Sequence, residues 1–156
     1  DFLNEQNISC EIYENLYENI PFLLDNQDEV PEKIIDIRKS LENSNKILIF
    51  SPVYNGGFLA HLKNTLDWLS LAYEDNRYNF LFKEKTVGVV TSVKGAGGNA
   101  EKAFNILSSQ LLNYGLNVFN EFHLITKKDH QDEIAIEENV KIFEDIKKFV
   151  FKFLDF

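Results

Sequence analysis

Positive charge is scarce in this chain, and so are cysteine, proline and long apolar runs. Sixteen Lys and Arg stand against 25 Asp and Glu, a formal net charge of −9 at pH 7. That balance disfavours nonspecific nucleic-acid binding, which needs a basic face. It also means that an anionic ligand has to be held by local main-chain N–H groups, since the overall field repels it. The single cysteine, Cys10, excludes an intramolecular disulfide framework. No apolar run approaches the roughly 18–20 residues of a membrane span. No basic, small-residue leader opens the chain. The expectation is a cytoplasmic protein that engages neither membrane nor nucleic acid.

What is present suffices for a core. The chain has 156 residues, 44% of them hydrophobic, which fits a single domain over residues 1–156. There is no internal repeat and no low-complexity linker. Ile8–Tyr13 alternates apolar and polar residues and predicts a half-exposed strand, with Cys10 as a small buried hydrophobe. Residues 14–31 read as a loop. Glu32–Leu41 carries Ile34, Ile35, Ile37 and Leu41 at helical spacing behind Pro31. Lys46–Ser51 and Thr86–Ser92 are continuously apolar, as buried parallel strands are. Leu59–Ala72 and Ala100–Tyr114 read as helices, with Gly115 at the C′ position of the second. Residues 94–99 form a glycine-rich loop, Val118–Ile125 a weaker strand, and residues 132–156 a long amphipathic helix. Strands alternating with helices imply an α/β fold with a mostly parallel sheet.

The opening residues, 1–7, read as the end of a helix. A sheet of this kind starts on a strand. The expectation is therefore that a strand, its loop and most of a helix lie upstream, on the order of 20–30 residues. The alternative is a chain that simply begins with a short helical turn.

The stretch from Ser51 to Trp68 carries the chemistry. A buried strand runs into Pro52-Val53-Tyr54-Asn55-Gly56-Gly57 and then into a helix holding Leu62-Lys63-Asn64 and Asp67-Trp68. In an open α/β sheet, ligands sit beyond the carboxyl ends of strands. Pro52 fixes φ, the glycines bare the backbone, and Tyr54 offers one aromatic ring to a flat ligand. Lys63 and Asp67 are i,i+4 neighbours suited to pairing, and Asn64 to bonding loop backbone, so all three read as structural. Trp68 and the leucines of this helix read as core or as a subunit contact. His61, His123 and His130 share no metal-ligand spacing.

Pro52, Tyr54, Asn55, Leu62, Lys63, Asn64 and Asp67 resemble the pattern of the NADPH-dependent FMN reductase family, flavodoxin-like proteins that include quinone, chromate and azo-dye reductases. Val53, Gly57 and Leu59 depart from that pattern. Residues 91–98 are similar to the family's Ser- and Gly-rich loop. The resemblance implies a flavodoxin-like three-layer sandwich with a parallel sheet of order 2-1-3-4-5. On that template Ile8 begins strand 2, and strand 1 and the phosphate-binding loop are missing from this chain. The family's Gly-Ser-x-Arg turn holds the FMN phosphate at a helix N-terminus, and its absence here leads us to expect weak FMN binding.

The resemblance further implies FMN and NAD(P)H as cofactors, a small-molecule electron acceptor, and a homodimer or homotetramer, with the Leu59–Tyr73 helix a possible contact. Main-chain groups of Pro52, Val53, Tyr54, Asn55 and Gly56 would meet the flavin's pyrimidine edge and N5 region. Ser92, Gly95 and Gly98 would approach the ring from the neighbouring strand. No catalytic side chain is singled out, because the flavin itself carries hydride chemistry. The implied function is an FMN-dependent NAD(P)H oxidoreductase acting on quinones, flavins or similar acceptors. The alternatives are a flavin-binding or redox-sensing module without turnover, and a truncated fragment that binds nothing. Receiver-type domains need acidic clusters at strand ends, where this chain has Ser51–Pro52 and Ser92–Val93.

Overall fold

The computed structural model describes residues 2–25, 29–93, 98–126 and 136–156, without the side chains of 136–139. The elements follow in the order α1 (Phe2–Glu5), α2 (Glu32–Glu42), β1 (Lys46–Pro52), α3 (Ala60–Ser70), β2 (Thr86–Ser92), α4 (Ala100–Asn113), β3 (Asn117–Ile125) and α5 (Ile136–Asp155). A 3₁₀ turn at Phe80–Phe82 precedes β2. Among the described residues no helix is long and apolar enough to cross a membrane.

The three described strands pair in parallel in the order β1-β2-β3. The register sets Ile49 beside Val89 and Pro52 beside Ser92, and Ser92 beside Ile125. It slips between Val87 and Val89, where β3 carries extra residues. The described residues contribute no strand at the other two positions of a 2-1-3-4-5 order. β2 is central, and Val87, Gly88, Val89 and Val90 are all buried, as a strand covered on both faces requires.

Each face of the sheet is covered by helices. On one face Ile49, Val87 and Val89 share a core with Ile34 and Ile37 of α2, Leu62, Leu66, Trp68 and Leu69 of α3, and Leu107 and Leu111 of α4. On the other, Val90 and Phe119 pack with Phe149, Val150 and Phe153 of α5. This gives three layers, helix on sheet on helix. The leucine stripe of α3 is spent on the core of this one chain, so it is not free to form a subunit contact. α4 ends as its sequence implies, with Gly115 at φ +91° directly after the Tyr114 cap.

Three expectations are corrected. Residues 8–13 form no strand. Their alternation is real, but a strand needs a hydrogen-bonded neighbour, and the segment's side chains turn out to solvent: Ile12 is 77% exposed, and Cys10 is exposed too. Phe50 is 61% exposed although it sits in a continuously apolar strand, because β1 pairs only with β2 among the described strands and α5 covers Leu48 but not Phe50. The helix expected from Leu59 begins one residue later and stops at Ser70.

Candidate active site

The carboxyl ends of all three strands stand level. Val53 N–H donates to Ser92 C=O at 2.8 Å, and Val93 N–H to Ile125 C=O at 2.9 Å, so the ladder continues one residue past each strand. Beneath, the buried Thr91 hydroxyl donates to Ser51 C=O at 2.8 Å and locks β1 to β2 just under the loop. The platform on which the loop rests is thus rigid on its buried side.

The loop then makes one tight reversal. Tyr54 N–H donates to Gly57 C=O at 2.9 Å and Gly57 N–H donates back to Tyr54 C=O at 3.0 Å. Between them Asn55 has φ +53° and Gly56 φ +78°. Two consecutive left-handed residues define a type I′ turn, and Asn-Gly is the pair that adopts it most readily. This is why the sequence reads Tyr-Asn-Gly-Gly here. The turn leaves the main-chain groups of its two central residues outside its own hydrogen bonds. No described residue engages them.

The sequence-predicted residues fall as follows. Pro52 and Val53 are half-buried at the strand end, Tyr54 and Asn55 are exposed, and Gly56 is buried. An added Cβ on Gly56 would lie 3.9 Å from Asn99 and 4.0 Å from Lys102, so the first turn of α4 shelters the β1 turn. Ser92 is half-buried beside Pro52. Gly98 is exposed, with nothing within 4 Å of its would-be Cβ. Gly95 lies outside the described residues, as do His130 and residues 94–97 generally. The structure therefore brings Pro52–Gly56, Ser92 and the Gly98–Asn99 entry to α4 to one end of the sheet.

This arrangement suits the edge of a planar ring. Unengaged main-chain donors and acceptors at Asn55 and Gly56 match an edge that alternates N–H and C=O groups. The exposed Tyr54 ring can cover a flat face. Among the described residues no helix N-terminus with a Gly-Ser turn offers a phosphate cradle of the kind the resemblance implies. A cavity of about 470 Å³ lined by residues 75–80, Lys83 and residues 113–115 lies elsewhere. These residues lead into the amino ends of β2 and β3, away from the turn.

The Lys-Asn-x-x-Asp segment proves to be scaffold. Lys63 Nζ pairs with Asp67 at 2.5 Å, and the buried Tyr114 hydroxyl donates to the same carboxylate at 2.7 Å. This ties α3 to the end of α4. Burial, reinforced by that bond, holds the Tyr114 phenol well above the usual tyrosine range. Asn64 and Trp68 bond the backbone of the 21–23 loop.

Sequence reading missed Arg38. It is buried on α2, where Nη2 donates to Trp68 C=O at 3.1 Å and the guanidinium lies 4.5 Å from the Tyr73 ring centre. Burial lowers its pKa. It also missed a cluster of three rings, Tyr17, Phe22 and His61. No sequence period links those positions.

Known proteins resemble this chain in sequence and in fold. The protein called uncharacterized protein MG342 homolog of Mycoplasma pneumoniae is 26% identical over 117 residues, covering 73% of this chain and 69% of that protein. FMN-dependent NADH:quinone oxidoreductase of Mycoplasma mycoides is 34% identical over 68 residues, 44% of this chain and only 33% of that enzyme. Among solved structures, FerB of Paracoccus denitrificans, described as a flavoenzyme NAD(P)H:(acceptor) oxidoreductase, superposes with a TM-score of 0.76 at 23% identity. The superposition spans 99% of this chain and 82% of that one. It shows the flavodoxin-like α/β fold. Residues 1–131 match the profile of the NADPH-dependent FMN reductases, and the chain belongs to that family of flavoenzymes.

Proposed function

We propose that this chain is an FMN-dependent NAD(P)H oxidoreductase that reduces small flat acceptors such as quinones or flavins. The observation that carries the reading is the Tyr54–Gly57 turn, which presents the exposed Asn55 with unengaged main-chain groups at the carboxyl end of β1, Gly56 lying buried beneath it. Bound FMN supplies the hydride chemistry. The protein's part is to seat and orient the ring. Asn55 and Gly56 would meet its polar edge, Tyr54 would cover a face, and Pro52, Val53 and Ser92 would form the floor, with Gly98 approaching from the β2 side. The Thr91–Ser51 bond keeps that floor from shifting. A homodimer or homotetramer would use surfaces other than the α3 stripe. Ile106 and Leu112, exposed on α4, are the apolar residues available there.

The test is direct. The purified protein is titrated with FMN, following quenching of flavin fluorescence, and then assayed for NADH and NADPH consumption with menadione. Saturable flavin binding, weak for want of a phosphate cradle among the described residues, with steady turnover in excess FMN is the expected result. Flavin binding without turnover would make the protein a flavin-binding module. A protein that is folded yet stays colourless in excess FMN would refute the reading.

A further inference from the structure

The loop around residue 22 is anchored at two points and yet turns its aromatic side chain outward. Pro21 C=O accepts two hydrogen bonds, one from Asn64 Nδ2 at 3.0 Å and one from Trp68 Nε1 at 2.8 Å. Leu23 N–H donates to Asn64 Oδ1 at 2.9 Å. Both α3 side chains are buried, Trp68 completely. Phe22 lies between the two fixed residues and is 63% exposed. Its ring is near-parallel to the His61 imidazole, 18° apart with centres at 6.4 Å. His61 also meets Tyr17, at 5.7 Å. Tyr17 is itself exposed, and its hydroxyl donates to Asn15 Oδ1 at 3.1 Å.

The backbone on both sides of Phe22 is fixed, so part of the cost of ordering this loop against a ligand is already met. The position matches a role in the reaction. His61 stands in the first turn of α3, directly after the Tyr54–Gly57 turn. The cluster is therefore at the same end of the sheet as the proposed ring site.

Charge decides what the cluster would accept. Residues 1–32 contain nine Asp or Glu and no Lys or Arg. The first cation, Lys33, is folded back onto the carbonyls of Glu14 and Asn15 at 2.9 and 2.7 Å. Lys33 brings its own positive charge to the loop there, but Glu14, Glu18, Asp25, Glu29 and Glu32 outnumber it, so the segment is acidic on balance. Aromatic faces carry negative charge at their centres and attract electron-poor or cationic rings. Both effects act against an anion.

We infer that Phe22, His61 and Tyr17 form the seat of the electron acceptor and select flat neutral or cationic acceptors over anionic ones. The inference rests on the oxidoreductase reading above and deepens it. Phe22 and His61 are specificity residues here; neither exchanges a proton or an electron in the scheme.

The experiment uses two flat quinones, neutral menadione and anionic anthraquinone-2-sulfonate, and two readouts. Binding is followed by NMR on the His61 ring protons, identified by their loss in His61→Asn. Catalysis is followed as the KM and kcat for each quinone. Menadione should shift the His61 signals, and the sulfonate should bind more weakly, with a gap that narrows as salt is added. Phe22→Ala and His61→Ala should each weaken menadione binding by about three- to tenfold, the yield of a stacking contact. KM should rise more than kcat falls, FMN affinity should be unchanged, and Phe22→Tyr should restore binding.

Wild-type menadione affinity in both alanine variants would overturn the inference, as would equal affinity for the two quinones at low salt. A dimer broken by Phe22→Asp, with no menadione shift in the wild type, would overturn it too and assign the rings to a second copy of the chain. The two failures are distinguishable. A protein that binds FMN and turns over, but whose variants keep wild-type KM, refutes only the seat. A protein that takes up no flavin refutes the oxidoreductase assignment and the acceptor role with it, and a His61 shift with menadione would then mark a quinone site without turnover.

Discussion

Asn64 clasps the 21–23 loop with both ends of its amide: Oδ1 accepts from Leu23 N–H at 2.9 Å while Nδ2 donates to Pro21 C=O at 3.0 Å. The residue is only 9% exposed, so neither loop group has ready access to water as a substitute partner. Asn64→Ala strips the Leu23 N–H of its acceptor and leaves Pro21 C=O with Trp68 alone. The expected cost is about 2 kcal/mol, the penalty for orphaning buried polar groups, read as a lowered urea midpoint at constant m-value. Asn64→Asp keeps an acceptor for Leu23 but sets a buried carboxylate oxygen against Pro21 C=O, so it should cost at least as much as alanine. A wild-type midpoint in the alanine variant would show that the clasp contributes nothing.

Gly88 is where the α5 layer comes closest to the sheet. A Cβ built there would sit 2.9 Å from Phe153 Cδ2, 3.0 Å from its Cγ and 3.2 Å from Leu48 Cδ1. Phe153 is itself buried and wedged against Phe119, so it has little room to yield. Gly88→Ala should cost about 1–3 kcal/mol through overpacking. Phe153→Leu, destabilising by itself, should recover part of that loss when combined with Gly88→Ala, a non-additivity expected for residues in contact. Strict additivity in a thermal or chemical denaturation cycle would contradict the packing.

β2 was legible to the residue, Thr86–Ser92, because an unbroken apolar run between polar ends has one reading in a parallel sheet. α2, α4 and the Gly115 stop were legible for similarly local reasons. Residues 8–13 were not, since alternation fixes which side chains could face one way but not whether a neighbouring strand exists to pair with. Phe50 misled for the same reason: burial in an apolar strand depends on what covers it. In the site, a tight loop after β1 was legible, but its closure as an Asn55-Gly56 type I′ turn was seen only in the structure, although Asn-Gly is a pair that favours it. The Tyr17, Phe22 and His61 cluster joins residues distant in the chain through the Asn64 clasp. Nothing short of the folded loop reveals it.

The type I′ turn yields a pair of opposite outcomes. Asn55→Gly should be close to neutral for stability, since glycine takes φ +53° without strain. Gly56→Val forces a β-branched side chain into φ +78° and should cost at least about 1–2 kcal/mol. FMN affinity should fall with Gly56→Val and stay near wild type with Asn55→Gly if main-chain groups make the contact. A larger loss from Asn55→Gly would instead assign the contact to the Asn55 side-chain amide. Thermal melts and flavin fluorescence titrations on the two variants separate these cases.

Two tyrosines are held above the ordinary tyrosine range. Burial, with the bond to Asp67 second, holds Tyr114 well above the ordinary tyrosine range. Burial, followed by the bond to Glu42, pushes Tyr73 up to about 12. An unfolded tyrosine ionises near pH 10. Above that pH the unfolded chain gives up protons that the folded chain keeps, so stability is whole below about pH 10 and falls as pH rises toward the folded values. Lys85 acts with the opposite sign and in a lower window. Burial lowers it from 10.5, so the folded chain loses that proton first and gains stability as pH approaches the unfolded value. Urea midpoints measured from pH 8 to 11.5 should therefore turn downward above about pH 10. Tyr114→Phe should lose about 1.5–3 kcal/mol at pH 7, where its bond to a charged carboxylate is gone, and should descend less steeply in the alkaline range. Parallel descents for the variant and the wild type would mean that Tyr114 titrates like a solvent-exposed phenol.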